Sequence, residues 1–565
     1  MARSIIDPIT RIEGHLRVEM EVDNGVVTDA WVSGGCFRGM ELVVQDRTPE
    51  DAAQIVQRIC GVCPVSHAHV SSIAAEKAYN IKISNNARII RNIIEGAQFL
   101  HSHILWFYTL AALDYVNPLN ALNANIATAY DLVQSAGTGC QTDLTALAQK
   151  LTKFANNGQL SIFSGGWFLD PQVATEFKLS PEADLICTAH YLEALNMQAR
   201  ASEISGLIGG KMPHVMTLIP GGTAFVPTEE KLDDLWSLVR EVRDWVKLTM
   251  IPDTKIIAPA YTDALHFGKG CGRYVAWGVF ERPSMEPTDR YMPAGVVWEN
   301  LNVTDPDEAL IKEYVGHSWY VGDSDLNPVE GVTDPEYTSY YVPGSEHEEN
   351  GHMIGTVNDR YTWSKGPSYD GKCMEAGPFS RVLAAYLRGG EQNKFIVDNL
   401  NALCADLGLT IPDLQSTLGR VAARQVECLY VAELMVEWVD ELIAVIKEGD
   451  SEYFRAPERL SGRGTGMWEA PRGALLHTEN VDNGKINAYQ IIIPTTWNIA
   501  PRNAEGVRGP MEQALIGTPV SNVDMPINAL RTVHSFDPCT ACAVHVSEPK
   551  TGKHFETVTS PWGVK

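Results

Sequence analysis

The chain reads RICGVCP at residues 58–64 and DPCTAC at residues 537–542, so a Cys-x-x-Cys pair lies near each end of its 565 residues. Two intervening residues let both thiolates face one ion, and each pair can supply two sulfur ligands to a metal. Zinc ribbons close their four ligands over tens of residues, whereas 476 positions separate Cys63 from Cys539. Neither pair has the strand-to-helix surroundings of a thioredoxin-like redox motif. A metal held by both pairs would join the two ends of the whole protein.

Composition and charge narrow the class of protein. With 45% hydrophobic and 20% charged residues, the chain can bury a large core. Its length suggests three to four domain-sized units, although one long intertwined domain is also compatible with it. The net charge of −25 repels phosphate backbones, so nucleic acid is not an expected partner. Eleven cysteines are an odd number in a large chain, which argues against a disulfide framework and for reduced, metal-bound or buried thiols.

Residues 281–360 form a distinct acidic segment. They contain 17 Asp and Glu against four Lys and Arg, and they are rich in Pro, Gly and Tyr. We interpret this segment as a solvated surface excursion. The N-terminus has no apolar core of signal-peptide length, and no run of 18 apolar residues occurs, so we expect neither a membrane span nor an export signal in this chain.

Local patterns predict a mainly helical fold. Alternating apolar residues around Asp23-Asn24-Gly25 predict a β-hairpin over 15–34, and Thr48-Pro49 predicts a helix that runs to about Ile59. Helical periodicity predicts further helices at 87–113, 144–156, 183–208, 229–250, 393–407 and 413–447, with Gly419 a weak point in the last, and short strands return around 488–493. Because several helices are apolar on most faces, we expect an α+β fold with a core bundle of long helices and small peripheral antiparallel β-sheets.

The two cysteine motifs, taken together, resemble those of the large subunit of nickel-iron hydrogenases. Further segments typical of this family extend from end to end: Thr10-Arg11-Ile12-Glu13-Gly14-His15, Arg38-Gly39-Met40-Glu41, Ala112-Leu113-Asp114, Ser416-Thr417-Leu418-Gly419-Arg420, Glu469-Ala470-Pro471-Arg472-Gly473 and Pro494-Thr495-Thr496-Trp497-Asn498. The resemblance covers essentially the full length. It implies a catalytic subunit of the uptake type that reversibly splits dihydrogen into protons and electrons.

The resemblance also implies the metal ligands. Cys60 and Cys539 correspond to terminal nickel thiolates, while Cys63 and Cys542 bridge nickel and an iron that carries carbon monoxide and cyanide. Soft thiolates suit these metals better than carboxylates do. The family further implies a magnesium site with the ligands Glu41 and His545, and second-shell contacts from His67, Pro471, Arg472 and Thr495 around the metals.

Heterolytic splitting of dihydrogen needs a base beside the metals. We expect Cys539 to accept the proton and to pass it to Glu13, a carboxylate whose burial would raise its pKa into the range of a relay. Arg472 is a poor base because a guanidinium stays protonated, so we expect an electrostatic role for it, with service as an alternative base still open. The family places Asp114 and Asp537 beside this arginine. The seven other cysteines are expected to be small buried residues, among which Cys36 lies near the first motif.

Electrons also have to leave the site, and no further cysteines in this chain have iron-sulfur spacing. The resemblance therefore implies an iron-sulfur small subunit as partner, with a membrane cytochrome b as a further candidate and a periplasmic or membrane-associated location that depends on the partner. It also implies nickel-insertion factors and a maturation endopeptidase that cuts after His545. On this reading residues 1–545 form the mature subunit and 546–565 are the extension of a precursor.

Three other functions are compatible with parts of this pattern. A regulatory hydrogen sensor would share the fold, but such sensors often lack the extension. A quinone-site subunit like that of complex I would lack the four cysteines, and a zinc-stabilised scaffold would need none of the other segments. Metal analysis separates the last alternative from a nickel-iron enzyme.

Overall fold

The computed structural model describes residues 2–35, 37–160, 171–322, 325–336 and 360–540, and these residues form helices with several small sheets. The α-helices are α1 (Met40–Val43), α2 (Pro49–Ile55), α3 (Pro64–Tyr79), α4 (Asn85–Leu105), α5 (Ile126–Ala136), α6 (Leu144–Asn156), α7 (Pro171–Ala174), α8 (Pro181–Gly209), α9 (Glu229–Trp245), α10 (Ile251–Ile257), α11 (Pro378–Arg388), α12 (Lys394–Leu407), α13 (Thr417–Lys447), α14 (Pro494–Asn498), α15 (Pro510–Leu515) and α16 (Ile527–Ser535).

The strands are short outside two hairpins. They are β1 (Ala2–Ile6), β2 (Leu16–Asp23), β3 (Val26–Gly34), β4 (Leu218–Ile219), β5 (Gly222–Thr223), β6 (Tyr274–Ala276), β7 (Gly295–Val297), β8 (Val303–Thr304), β9 (Ile311–Tyr314), β10 (Gly366–Tyr369), β11 (Glu375–Ala376), β12 (Gly462–Ala470), β13 (Gly473–Asp482) and β14 (Lys485–Ile492). The sheet orders are β1-β2-β3, β10-β9, β11-β6-β7-β8, β12-β13-β14 and β4-β5.

Four long helices make the core. Helix α4 contacts α8 and α13, and α9 contacts the same two helices, so the four close into a bundle. Ile93 and Leu100 of α4 and Trp438 of α13 are completely buried inside it. This arrangement confirms the predicted α+β fold with a core of long helices. It follows from helices whose apolar residues cover more than one face.

Capping side chains fix several helix starts that the sequence predicts. Helix α6 spans the predicted residues, because the Asp143 side chain accepts the N–H of Ala146 at 3.1 Å. Helix α13 begins at Thr417, four residues later than predicted, because the Ser416 side chain caps it by accepting the N–H of Gly419 at 3.1 Å. Gly419 does not weaken this helix. The absence of a side chain at Gly419 leaves room for the Leu414 carbonyl oxygen, which would lie only 1.9 Å from a Cβ added at this position.

Two predicted helix ends change their winding. The segment after α4 continues as a π-helix over Trp106–Ala111 and then as a 3₁₀ turn over Ala112–Asp114. The end of the predicted helix at 229–250 is likewise a π-helix, Val246–Met250. Periodicity alone predicted a continuous α-helix in both places. Such insertions depend on tertiary packing, and π-helical turns are frequent near functional sites.

The first hairpin brings the two ends of the chain together. Strands β2 and β3 pair through a turn in which Asn24 and Gly25 have φ of 51° and 78°, as the predicted hairpin requires. The buried face of this sheet packs with Met511 of α15 and Leu530 of α16. The N-terminal sheet and the C-terminal helices therefore share one hydrophobic cluster.

The sheets differ from the prediction in two respects. Strand β11 pairs parallel with β6, so one sheet is mixed. The sheet β12-β13-β14 is not peripheral, because β12 lies directly on α3. Gly464 and Gly466 make this approach possible: an added Cβ would lie 1.9 Å from the carbonyl oxygen of Ala74 and 2.2 Å from that of Val70, respectively.

The described part of the acidic segment 281–360 is packed more deeply than a surface excursion would be. Strand β7 is buried throughout, and Trp319 is completely buried. The acidic side chains Asp305 and Asp307 remain exposed. The acidic composition thus reflects the exposed side chains of this segment, whereas other residues of the segment are buried in the protein. Among the described residues, no helix has both the length and the apolar composition needed to cross a bilayer.

Candidate metal centre

The first cysteine pair lies in a short loop that leads into α3. Arg38 fixes the loop by donating to the carbonyl oxygens of Arg58 and Ile59 at 2.6 and 2.8 Å. Inside the loop, the N–H groups of Val62 and Cys63 both point at Cys60 Sγ at 3.2 Å. Because Cys63 is followed by the first turn of α3, the partial positive charge of the helix N-terminus also favours thiolates here.

The second pair enters the site beside the N-terminal segment. Cys539 and Glu13 form a parallel β-bridge, and the N–H of Thr540 donates to the Glu13 carbonyl oxygen at 2.6 Å. The N–H of Cys539 donates to Thr495 Oγ1 at 3.0 Å, so Thr495 positions the backbone of this cysteine. Cys542 and His545 lie outside the described residues.

These contacts bring cysteines from both ends of the chain together. The Sγ atoms of Cys60, Cys63 and Cys539 lie within 4.8 Å of one another in a buried position, and Cys60 Sγ is 3.3 Å from Cys539 Sγ. Thiolates at this separation repel one another unless a cation lies between them. The arrangement is that of a metal centre in which all three described donors are sulfur.

Arg472 lies near the thiols, at the tip of a buried hairpin. Pro471 and Arg472 are the two residues between β12 and β13. The Arg472 side chain is 2% exposed, and Nε is 3.1 Å from Asp537 Oδ1, yet none of its three nitrogens has a hydrogen-bond partner among the described residues. Burial by itself would lower the pKa of Arg472, but Asp537 and the nearby cysteines raise it well above its usual range. The guanidinium is therefore a fixed positive charge.

Asp537 holds two arginines at once. Its Oδ2 accepts from Arg424 at 2.9 Å while Oδ1 faces Arg472. The backbone of Asp537 has φ of 53°, which turns the chain between α16 and Cys539. This residue is placed as expected, beside Arg472.

Asp114 has other partners than expected. Its carboxylate is hydrogen-bonded to Arg11 and, at 2.6 Å, to His534 Nδ1, and neither its hydrogen bonds nor its ion pairs involve Arg472. Burial would raise the pKa of Asp114, but the charges of Arg11 and His534 outweigh it and hold that pKa at about 2. Asp114 therefore ties the N-terminal segment to α16. The family resemblance implied a place beside Arg472, but the motif around Asp114 does not show which basic side chain it pairs with in the fold.

Glu13 lies where a proton could leave the site. Its Oε2 is 3.3 Å from Cys539 Sγ. The residue is half-buried, between the thiol cluster and the protein surface. The expected burial of Glu13 is therefore only partial in this chain.

His67 is buried next to the cysteine loop. Its Nδ1 lies 3.2 Å from His477 Nε2, and His477 in turn contacts the Tyr489 hydroxyl at 2.7 Å. Within the described part of the chain, His67 Nε2 has no partner. Burial lowers the pKa of His67 to about 4, so the ring is neutral at physiological pH and has one nitrogen available to a sulfur.

The expected magnesium ligand Glu41 lines a separate cavity of about 60 Å³. Its two oxygens accept from the Ile491 N–H at 3.3 Å and from Thr333 Oγ1 at 3.0 Å. Lys365 Nζ lies 3.7 Å from Glu41 and 3.4 Å from Glu313. Two carboxylates in one small cavity are donors of the hard type that magnesium prefers, although Lys365 already balances part of their charge.

Sequence reasoning missed the buried residues that hold the Arg472 turn. Arg381 of α11 donates to the carbonyl oxygens of Ala470 and Pro471 at 2.9 and 2.8 Å, and it pairs with Glu427 and Glu469. Gln98 of α4 similarly holds the first cysteine loop through Val62 and Val65. Charged or amide residues inside strongly apolar helices were the only available signal, and such residues are usually exposed.

The described donors fit a soft, thiolate-bound metal. Three buried sulfur donors, a positive charge held near them and a carboxylate 3.3 Å from the Cys539 sulfur suit a thiolate-bound transition metal. A structural zinc site needs neither the arginine nor the carboxylate. Nickel and iron are among the metals that such thiolates bind.

Comparison with known proteins identifies the family. A family model described as nickel-dependent hydrogenase matches residues 38–545, and a model described as HoxL-like matches residues 4–33. The hydrogenase-2 large chain of Escherichia coli K12 is 38% identical over 571 residues, which cover 96% of this chain and 97% of that one. The uptake hydrogenase large subunit of Rhodobacter capsulatus is 35% identical over 580 residues, covering 96% and 95%.

Solved structures agree with this result. The reduced Ni-Fe-Se hydrogenase from D. vulgaris Hildenborough superposes with a TM-score of 0.77 at 34% identity, covering 96% of this chain and all of that one. The reduced, active Ni-Fe-Se hydrogenase from Desulfomicrobium baculatum gives a TM-score of 0.74 at 32% identity. The chain belongs to the nickel-dependent hydrogenase large subunits. It is therefore an oxidoreductase that acts on dihydrogen at a nickel-iron centre.

Proposed function

We propose that Cys60, Cys63, Cys539 and Cys542 hold the nickel-iron centre of this hydrogenase, with Cys60 and Cys539 as terminal nickel ligands and Cys63 and Cys542 as bridges. The observation that carries this proposal is the convergence of three thiols from opposite ends of the chain within 4.8 Å. When bound, the centre, with carbon monoxide and cyanide on its iron, supplies the acceptor for the electron pair of dihydrogen. His67, Pro471 and Thr495 enclose it.

Arg472 provides the electrostatic part of the reaction. Its guanidinium is buried near the thiols and forms an ion pair with Asp537, and among the described residues its nitrogens have no hydrogen-bond partner. A fixed positive charge in a dry site stabilises the negative charge that develops when the bond in dihydrogen polarises. Asp537 and Arg381 keep this charge in place, the first through the ion pair and the second through the backbone of the hairpin tip.

The proton leaves through Cys539 and Glu13. The thiolate is the nearest base, and the Glu13 oxygen 3.3 Å away is within reach of a sulfur-bound proton. Because Glu13 is half-buried, it can pass that proton outward. The direction of transfer reverses when the enzyme forms dihydrogen.

Electrons leave through an iron-sulfur small subunit, since this chain has no other cysteines with iron-sulfur spacing. A membrane cytochrome b is a suitable acceptor beyond it, and the complex is periplasmic or membrane-associated through its partner. Nickel-insertion factors load the site, and an endopeptidase then cuts after His545 and releases residues 546–565. Magnesium binds Glu41 and His545 and has a structural role.

Replacement of Glu13 tests the proton path. Glu13→Gln keeps shape and hydrogen bonding but cannot relay a proton, so the nickel-loaded complex should exchange hydrogen for deuterium roughly 100-fold more slowly or worse while its metals still change oxidation state. Glu50→Gln, at an exposed carboxylate of α2, is the matched control and should exchange normally. Near-normal exchange in the Glu13 variant would remove this residue from the path and leave Arg472 as the next candidate base.

A further inference from the structure

Three of the remaining cysteines do not match the expectation of small buried residues. Cys187, Cys404 and Cys428 are buried, whereas Cys140, Cys271 and Cys373 are partly exposed. Cys140 lies in the loop between α5 and α6, within a group of side chains that the hydrogenase site does not use. The donor atoms of Cys140, His190 and Glu193 all lie within 4.8 Å of one another.

His190 is oriented like a metal ligand. Its Nδ1 lies 2.7 Å from Asp253 Oδ1, and the other oxygen of Asp253 accepts from the Tyr108 hydroxyl at 2.8 Å. Both His190 and Asp253 are completely buried. The second nitrogen of the ring, Nε2, is buried without a hydrogen-bond partner among the described residues. The Cys140 side chain interacts with the same ring. A carboxylate on one ring nitrogen and a second potential ligand beside the ring is the arrangement by which proteins orient a metal-binding histidine.

The cysteine loop is fastened in place beside this histidine. Glu193, one turn after His190 on α8, accepts through Oε1 from the N–H groups of Gln141 and Thr142, each at 2.9 Å, and from the Thr142 hydroxyl at 2.7 Å. The N–H of Gly139 donates to the Leu248 carbonyl oxygen at 2.6 Å. Cys140 is thus held between two anchored residues, with its side chain next to His190.

One carboxylate oxygen of Glu193, Oε2, still has a lone pair that can bind a ligand. Its Oε1 accepts from three N–H and O–H donors and lies 3.9 Å from the Cys140 sulfur, whereas among the described residues Oε2 accepts from Trp245 Nε1 alone, at 3.2 Å. If the carboxylate served only to hold the loop, Oε1 would be enough, and the buried Nε2 of His190 would have only the weakly hydrogen-bonding Cys140 thiol beside it. A cation between the three groups satisfies both atoms.

We propose that Cys140, His190 and Glu193 form a second metal site that binds a zinc-like divalent cation, separate from the nickel-iron centre. One sulfur, one imidazole nitrogen and one carboxylate oxygen are ligands that zinc accepts, and a water completes four-coordination. Bonds of about 2.0–2.3 Å bring the donors closer than they are without an ion, and rotation of the partly exposed Cys140 side chain provides this movement. The ion joins the α5–α6 loop to α8.

Cobalt titration tests the site in the nickel-loaded complex, where the cysteines of the active centre are already occupied. Co²⁺ bound by a thiolate gives an intense charge-transfer absorption, and we expect one such ion per chain, displaced by Zn²⁺. Cys140→Ser should abolish the absorption, and Cys404→Ser, which removes a buried thiol elsewhere, should retain it. Asp253→Asn should retain the absorption but weaken binding about 10- to 100-fold, because it removes the orienting carboxylate.

Several outcomes would overturn the proposal. Persistence of the absorption in Cys140→Ser would place the ion elsewhere. Absence of the absorption from the unmodified complex, together with rapid alkylation of Cys140 by iodoacetamide, would show a metal-free reactive thiol next to His190. Unchanged affinity in Asp253→Asn would show that His190 is not a ligand.

Discussion

Replacing Asp537 by Asn removes one negative charge from between two buried arginines and changes little else. Two unit charges 3.1 Å apart attract each other by about 5 kcal/mol at an effective dielectric constant of 20. Breaking a buried ion pair typically costs about 3–5 kcal/mol. The asparagine side chain keeps one oxygen that can accept a hydrogen bond from Arg424. We therefore take the lower end of this range as the loss of the interaction with Arg472.

If about 3 kcal/mol of the stabilisation provided by Arg472 is lost during the splitting of dihydrogen, exchange slows roughly 100-fold. The assay is hydrogen-deuterium exchange per bound nickel, measured in the complex with the partner subunit. Nickel content should stay near normal, because no thiol is altered.

Asp114→Asn is the matched control, since Asp114 is equally buried and also holds two basic side chains, Arg11 and His534. We expect Asp114→Asn to destabilise the protein. Its effect on the rate of exchange per nickel should be far smaller than that of Asp537→Asn. Equal slowing in both variants would refute the separation of roles that the hydrogen bonds indicate.

The remaining predictions concern assembly and stability. Ser in place of Cys60, Cys63, Cys539 or Cys542 should abolish stable nickel binding, because each change leaves the centre one soft ligand short; full nickel content by elemental analysis in any variant would show that the assigned ligand is wrong. The pKa of Asp114 falls from 3.8 to about 2 on folding, so this carboxylate contributes about 2 kcal/mol at neutral pH that is lost as the pH falls from about 4 to 2. Asp114→Asn should flatten the stability profile in that range, measured by urea unfolding, and an unaltered profile would contradict the ion pairing. Gly466→Ala should destabilise by about 1–3 kcal/mol, because its Cβ would lie 2.2 Å from the Val70 carbonyl oxygen, whereas Gly206→Ala in α8 has no neighbour within 4 Å and should be neutral or stabilising in the same assay.

Local signals explain which parts of the fold could be predicted. The β2–β3 hairpin follows from Asn24-Gly25, whose backbone conformation few other residues accept, and α6 follows from a capping Asp143 and a regular apolar stripe. The π-helical segment Trp106–Ala111 could not be predicted in the same way. Its aromatic residues fit a buried helix of either kind, and the winding depends on packing around them.

The same distinction between local sequence signals and long-range contacts applies to the metal centre. A cysteine motif predicts ligands because two thiolates separated by two residues can reach one ion wherever the motif lies. The cation nearest to Asp114, or the carbonyl oxygens that Arg381 reaches from α11, depends on contacts between segments far apart in the chain. No local pattern contains that information.

The cost of burying charged side chains explains why the positioning residues could not be recognised from sequence. Arg381, Glu427 and Glu469 are all completely buried, and leaving any one of them without its partners would cost several kcal/mol. Such groups are therefore useful only where the fold brings their partners to them, and here they hold the backbone that carries Arg472. The residues that perform the chemistry are recognisable from sequence because their chemistry restricts the residue type. The residues that position them are restricted by the geometry of the fold, so their function can be recognised only in the folded structure.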